Sequence, residues 1–102
     1  MTLHAERQVG KQWVKYLQVQ PGDRKTIPNR KEVKGTYILI CEENDLKSNI
    51  YKVKRDDKAN NEIINSRYSQ PIKTLRRGDP PFELRIQTDN MPKPQLVRFT
   101  HK

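Results

Sequence analysis

The side chains of this chain that are best suited to bind a partner are its clustered lysines and arginines. The sequence has 21 lysines and arginines against 12 aspartates and glutamates, a formal charge of +9. Such an excess favours a polyanionic partner: nucleic acid, an anionic membrane surface or an acidic protein. We predict phosphate contacts from two clusters of basic residues: Arg24, Lys25, Arg30, Lys31, Lys34, Lys52, Lys54 and Arg55.

One set of residues has the spacing of a catalytic metal site. Asp23 followed by Glu32-Val33-Lys34 resembles the acidic residue and later Glu-x-Lys of metal-dependent nucleases, in which the carboxylates hold a divalent ion and the lysine stabilises charge near the attacking water. That chemistry requires both carboxylates on adjacent strands inside a cleft. Here the segment between them is short and contains Pro28, which disfavours a continuous strand. We therefore expect a solvated charge run at these positions.

Other candidates for a nucleophile or a general base are few. Cys41 is the one cysteine, so intrachain disulfides and zinc sites of four cysteines, or of two cysteines and two histidines, are excluded. We predict that Cys41 is a small buried hydrophobe. His4 and His101 lie near the two ends of the sequence, where a catalytic base is hard to hold in place. We expect no enzymatic activity, no cofactor and no metal.

The stretch GTYILICEENDLKSNIYKVKR, residues 35–55, predicts two paired strands. Tyr37–Cys41 is apolar on both faces, which is typical of a central strand covered on both sides. Residues 42–48 supply a turn. Ile50–Arg55 then places Tyr51 and Val53 on one face, and Ile50 with its following lysines on the other. Lysines on an exposed strand can also serve only to prevent edge-to-edge aggregation, and this alternative stays open for Lys52 and Lys54.

The rest of the chain alternates short apolar runs with polar breakers. Gly10 disfavours a long N-terminal helix, and Phe82, Leu84 and Ile86 alternate with polar residues as a half-buried strand requires. The remaining assignments, in chain order, are a flexible arm or short helix over 1–10, a strand over 12–19, a turn at 21–23, a connection without a continuous ladder over 24–34, one helical turn and then an extended piece over 62–75, a strand over 82–86 and an edge strand over 96–100.

These assignments predict a mainly β fold, with a β-rich α+β fold as the second choice. We expect one small basic domain over residues 1–102, built as an antiparallel barrel or sandwich of about five short strands with one or two short helical pieces. A hydrophobic fraction of 32% in 102 residues implies a small core.

The functional expectation is a non-enzymatic binding module whose basic face contacts the phosphates of DNA or RNA. Tyrosines and Trp13 could stack on bases, although most of them must belong to the core. The alternative is a protein–protein module, an inhibitor or adaptor of viral or phage origin or a domain of a larger protein, that docks on an acidic surface through an anchor such as Trp13 or Phe99. Without an apolar signal region or a membrane-length apolar window, we expect an intracellular location, in the cytoplasm or nucleus.

Overall fold

The fold is a β-sandwich, seen in a computed structural model that describes residues 1–29, 35–53, 70–87 and 92–102. In these residues all regular structure is β-strand, so the predicted mainly β class is confirmed and the strand count exceeds the expected five. The strands are β1 Leu3–Val9, β2 Gln12–Val19, β3 Arg24–Ile27, β4 Tyr37–Cys41, β5 Lys47–Lys52, β6 Lys73–Arg76, β7 Phe82–Ile86 and β8 Gln95–His101.

The strands form two antiparallel sheets of four. The first sheet has the order β2-β1-β8-β7, and the second has the order β3-β4-β5-β6. The central strands of the first sheet are therefore the first and last strands of the chain. Their outermost residues pair as well, with the Thr2 amide 2.7 Å from the Lys102 carbonyl oxygen and the Lys102 amide 2.9 Å from that of Thr2.

The expectation of a flexible arm or short helix over 1–10 is wrong, because Gly10 belongs to a hairpin turn. β1 and β2 pair directly, with Val9 opposite Gln12, so Gly10 and Lys11 form a two-residue loop. Gly10 has a φ of +62°, which fits the first position of a type II′ turn and suits glycine. The predicted strand over 12–19 is confirmed, with a bulge at Tyr16 where the register shifts.

A tight turn carries the chain from the first sheet to the second. The Asp23 amide donates to the Gln20 carbonyl oxygen at 2.9 Å, and Gly22 has a φ of +85°, which is the geometry of a type II turn with Pro21 at its second position. The turn predicted at 21–23 is confirmed. The expected absence of a ladder after it is wrong for Arg24–Ile27, which pairs with β4, because Pro28 follows the last paired residue.

The predicted hairpin in residues 35–55 is present. β4 spans the predicted residues Tyr37–Cys41, and its two faces are both covered, since Ile38 and Leu39 are each 0% exposed. β5 begins at Lys47, earlier than the predicted Ile50. β6 pairs with the other side of β5 over Lys47–Ile50, so this part of β5 is not at an edge. Lys52 lies beyond the residues paired with β6, and its edge-protection interpretation stays a prediction. Lys54 lies outside the described residues.

The last three strands of the described residues agree in part with the segments predicted from the sequence. β6 confirms the extended piece predicted before residue 75, whereas the helical turn predicted from residue 62 lies in 54–69, outside the described residues. β7 spans the predicted residues Phe82–Ile86. β8 was expected at an edge but is central, paired with β1 on one side and β7 on the other. Pro92 and Pro94 come before the strand begins, so they interrupt no ladder hydrogen bond.

Side chains from both sheets meet in one core, which identifies the fold as a sandwich. Phe99 and Leu3 of the first sheet pack in the same cluster as Leu39 and Ile50 of the second. Each is 0% exposed. The predicted burial of Cys41 is confirmed at 1% exposure. Within the described residues the sheets do not close into a barrel, and there β2 and β7 are the outer strands of the first sheet and β3 and β6 those of the second.

A buried hydrogen-bond network joins the sheets near the ends of the chain. His101 of β8 places Nδ1 2.9 Å from Ser48 Oγ of β5, and Nε2 2.8 Å from the carbonyl oxygen of Asp45 in the β4–β5 turn. A carbonyl oxygen only accepts, so we assign the hydrogen to Nε2; Nδ1 of the neutral ring then accepts from the Ser48 hydroxyl. His101 is 3% and Ser48 0% exposed.

We predict that His101→Ala lowers the free energy of unfolding by about 2–4 kcal/mol, because it leaves a cavity and removes the partner of two polar groups. Equilibrium unfolding in urea measures this loss. Lys102→Ala changes an exposed neighbouring side chain and should cost less than about 0.5 kcal/mol. Equal losses in the two variants would contradict a stabilising role for the network.

Candidate functional site

The edge strands of the second sheet carry cations on both faces. On β3, Lys25 lies opposite Leu39 and shares its core-facing side, whereas Arg24 lies opposite Ile40 on the outer side. On β6, Lys73 is level with the core residue Ile50, and Arg76 lies on the outer side. Charges that point inward at an edge strand make pairing with another chain costly. The edge protection predicted for the lysines of β5 therefore also describes β3 and β6.

A groove opens between edge strands β2 and β3, where the two sheets meet at the Pro21-Gly22 turn. Its volume is about 470 Å³, and it is lined by Leu17, Arg24, Lys25, Thr26 and Asn29. We call it the β2–β3 groove. It therefore combines two cationic side chains with a hydroxyl, an amide and one apolar residue. Such a set can bind an anionic group and contact an apolar surface attached to it.

The structure brings together some of the predicted phosphate contacts and separates another. Arg24 and Lys25 both line the β2–β3 groove. Lys52 lies on the same face of the second sheet as Lys25, but it is two strands across and two residues further along the strands. These offsets correspond to a separation of about 12 Å. Its Nζ is 5.6 Å from the centre of the Tyr37 ring. The remaining predicted contacts lie outside the described residues: Arg30, Lys31, Lys34, Lys54 and Arg55.

Trp13 and Arg98 form a second feature, on the outer side of the first sheet. The guanidinium carbon of Arg98 is 4.2 Å from the centre of the Trp13 ring, close enough for a cation–π contact. Arg98 Nη2 also donates to Glu6 Oε1 at 3.1 Å. Sequence reasoning considered Trp13 without Arg98. It missed the pair because only the register of β1, β2 and β8 brings them together.

A shallower depression lies at the far end of the first sheet, beside the loop before β8. Its volume is about 370 Å³. It is lined by Gln8, Arg85, Pro92, Lys93, Pro94, Gln95 and Leu96. The Gln95 side chain donates to the Gln8 carbonyl oxygen at 3.1 Å and so links the loop end to β1. Among the described residues that line it, the charged ones are Arg85 and Lys93, both cationic.

The described residues contain no group of three histidine, cysteine or acidic side chains that could hold a metal ion. Asp23 is exposed in the turn, and Glu32 with Lys34 lies outside the described residues. Ser48 and His101 are within hydrogen-bond distance, but Ser48 is 0% exposed, so no substrate reaches it in this conformation. His4 and His101 are held in central strands, which corrects the expectation that their positions are loosely fixed.

Exposed apolar side chains in the described residues are scattered. The large ones are Val9, Leu46 and Ile72. Val9 ends β1 at the hairpin, whereas Leu46 lies in the turn whose Asp45 contacts the amino group of Met1, near the opposite end of β1. Phe99 is 0% exposed, so its proposed role as a docking anchor is wrong.

The described residues include no helix that could span a membrane.

Comparison of the chain with protein-family models, with curated proteins and with solved structures finds no match.

His4 on the outer side of the first sheet gives the fold a pH dependence. Burial is the largest cause that lowers the pKa of His4 from its ordinary value of 6.5, and the charge of Lys102 adds to it. The ring is also placed to accept at Nδ1, which is 3.1 Å from the amide nitrogen of Gln18. An amide nitrogen only donates, so protonation of Nδ1 would break this hydrogen bond.

We predict that the fold loses stability through His4 as the pH falls below 6.5. The unfolded chain then binds a proton that the folded chain still excludes, and the loss is complete below the folded pKa. Urea midpoints at about pH 7.5 and about pH 5 measure it. His4→Gln keeps a polar partner for Gln18 and should fall less over this interval. Equal falls in the variant and the wild type would contradict the prediction.

Proposed function

We propose that this protein is a non-enzymatic nucleic-acid-binding module whose β2–β3 groove contacts the phosphates of DNA or RNA. The observation that carries the proposal is the convergence of Arg24 and Lys25 on one recess at an open edge of the sandwich. The protein as a whole has a net charge of +9, which attracts a polyanion over a distance. The partners that follow are DNA or RNA, within the cell.

The chemistry of the groove favours a phosphate over an isolated carboxylate as the bound group. Arg24 offers a planar guanidinium that can bind two oxygens at once, and Lys25 adds a point charge beside it. Thr26 and Asn29 add neutral hydrogen-bonding groups. Phosphate contacts of this kind position a nucleic acid without reading its sequence. We therefore propose binding with little sequence preference.

The alternative, docking on an acidic protein surface, receives less support. A protein interface of that kind centres on a compact group of buried anchors, often aromatic residues or arginine. In residues 1–29, 35–53, 70–87 and 92–102 the exposed apolar side chains are dispersed, and the proposed anchor Phe99 is inside the core. Trp13 and Arg98 form a pair of anchor type on the outer side of the first sheet, so this function stays the second candidate.

We predict that the double variant R24E/K25E binds nucleic acid about tenfold or more weakly, because two phosphate contacts become repulsive. The loss should be similar for unrelated sequences. Fluorescence anisotropy with labelled single- and double-stranded oligonucleotides measures it, at about 50 and about 200 mM salt. The slope of log affinity against log salt should also fall by about 1.4–1.8, as two contacts imply.

The chain offers a matched control for this experiment. K73E/R76E makes the same change in net charge at the other edge of the second sheet, again at one core-side and one outer position. At 0.1 M salt exposed charges act over about 10 Å, so this variant should lose less than about threefold. Equal losses in the two double variants, or no binding by the wild type at about 50 mM salt, would contradict a groove-centred site. Urea midpoints show whether each variant is folded.

A further inference from the structure

We infer that the β2–β3 groove and Trp13 form one path along edge strand β2 that binds a single strand of nucleic acid in preference to a duplex. This inference rests on the proposed function and narrows it. Phosphates bind at the groove, as proposed above. In addition, unpaired bases contact the protein at two residues of β2, Leu17 and Trp13.

The groove itself favours an unpaired nucleotide. Its volume of about 470 Å³ lies within the range of about 300–1,000 Å³ that is usual for small-ligand sites. Leu17 supplies an apolar contact beside the cations Arg24 and Lys25. In a duplex the faces of the bases are stacked on one another, whereas a single strand can turn a base face towards an apolar side chain.

Trp13 provides a stacking position further along β2. It lies four residues before Leu17, about 13 Å along an extended strand. The bulge at Tyr16 separates the two positions: Leu17 is level with the core residue Ala5, and Trp13 is level with Gln8 on the outer side. A path from one to the other therefore wraps around the edge of the sheet and passes the exposed Lys15, which can contact the connecting phosphate.

The Trp13 side chain is held by a partner suited to this role. Arg98 lies against its ring, with the guanidinium carbon 4.2 Å from the ring centre, and a salt bridge from Arg98 Nη2 to Glu6 Oε1 at 3.1 Å holds the guanidinium in place. Bases of single strands stack on aromatic rings and on guanidinium planes. A ring fixed in this way loses little conformational freedom when a base stacks on it.

The described part of the chain contains no helix, the element that most often enters the major groove of a duplex. Its paired strands belong to four-stranded sheets, whereas a two-stranded ribbon enters the groove alone. Here the cations instead lie in a recess at the edge of a sandwich. A stiff double helix can present only part of its surface to such a recess, whereas a flexible strand can follow it.

The test uses the full chain with two probes of equal length, a labelled 12-mer of deoxythymidine and a labelled 12-base-pair duplex. We expect the single strand to bind at least about tenfold more tightly. Trp13 is the one tryptophan, so its emission should change on addition of unlabelled single strand. Trp13→Ala should weaken single-strand binding about tenfold, and Trp13→Phe should restore most of it, since a phenyl ring still stacks. Val9→Ala, at an exposed residue of the same hairpin, is the control.

The outcomes separate the inference from the proposed function. Equal or tighter binding of the duplex, or an unchanged Trp13 emission in the single-strand complex, overturns the inference. If R24E/K25E still weakens binding in that case, the proposed function stands. Failure of both probes to bind overturns both. The urea midpoint of Trp13→Ala shows whether this variant is folded. If it is not, the change in Trp13 emission and the affinity of the Trp13→Phe variant decide the question.

Discussion

The buried contact between His101 and Ser48 is the polar constraint on which the arrangement of the two sheets depends. Apolar contacts hold the sandwich together but are not directional, so they permit small sliding of one sheet over the other. A hydrogen bond of 2.9 Å between β8 and β5, with a second of 2.8 Å to Asp45, requires one relative position. Any displacement leaves buried polar groups without partners, at a cost of about 1–3 kcal/mol for each group.

The same constraint explains how the termini are held. His101 is next to the last residue, and the carboxylate of Asp45 lies 2.9 Å from the amino group of Met1. The hydrogen bond from that amino group is the largest cause that lowers the pKa of Asp45, and its charge adds to the effect. β1 and β8 are central in their sheet, so the chain ends are fixed at the same end of the sandwich as the β4–β5 turn. The described open edges are the four outer strands.

Sequence reasoning predicted which segments are strands better than where they lie in the sheets. The alternation at Phe82, Leu84 and Ile86 predicts a strand with one buried face, and the apolar run 37–41 predicts a strand with two buried faces. Neither pattern identifies the neighbours of a strand. The edge position predicted for β8 depends on the two prolines before it and is wrong, because those prolines precede its first paired residue. The basic residues Arg24 and Lys25 were identified by charge alone. The contact between Trp13 and Arg98 depends on register between distant parts of the chain, which composition and periodicity do not contain.

The position of the candidate site follows from the fold in one further step. β2 ends the first sheet, β3 begins the second, and the type II turn at Pro21-Gly22 joins them directly. These two outer strands therefore lie on the same side of the sandwich, where Arg24, Lys25 and Leu17 line the groove. Because an unpaired edge exposes backbone groups to other chains, charge at this opening is favoured for solubility alone. Binding of a polyanion would then use cations that also protect the edge, and Leu17, which packs against the core, would add an apolar contact beside them.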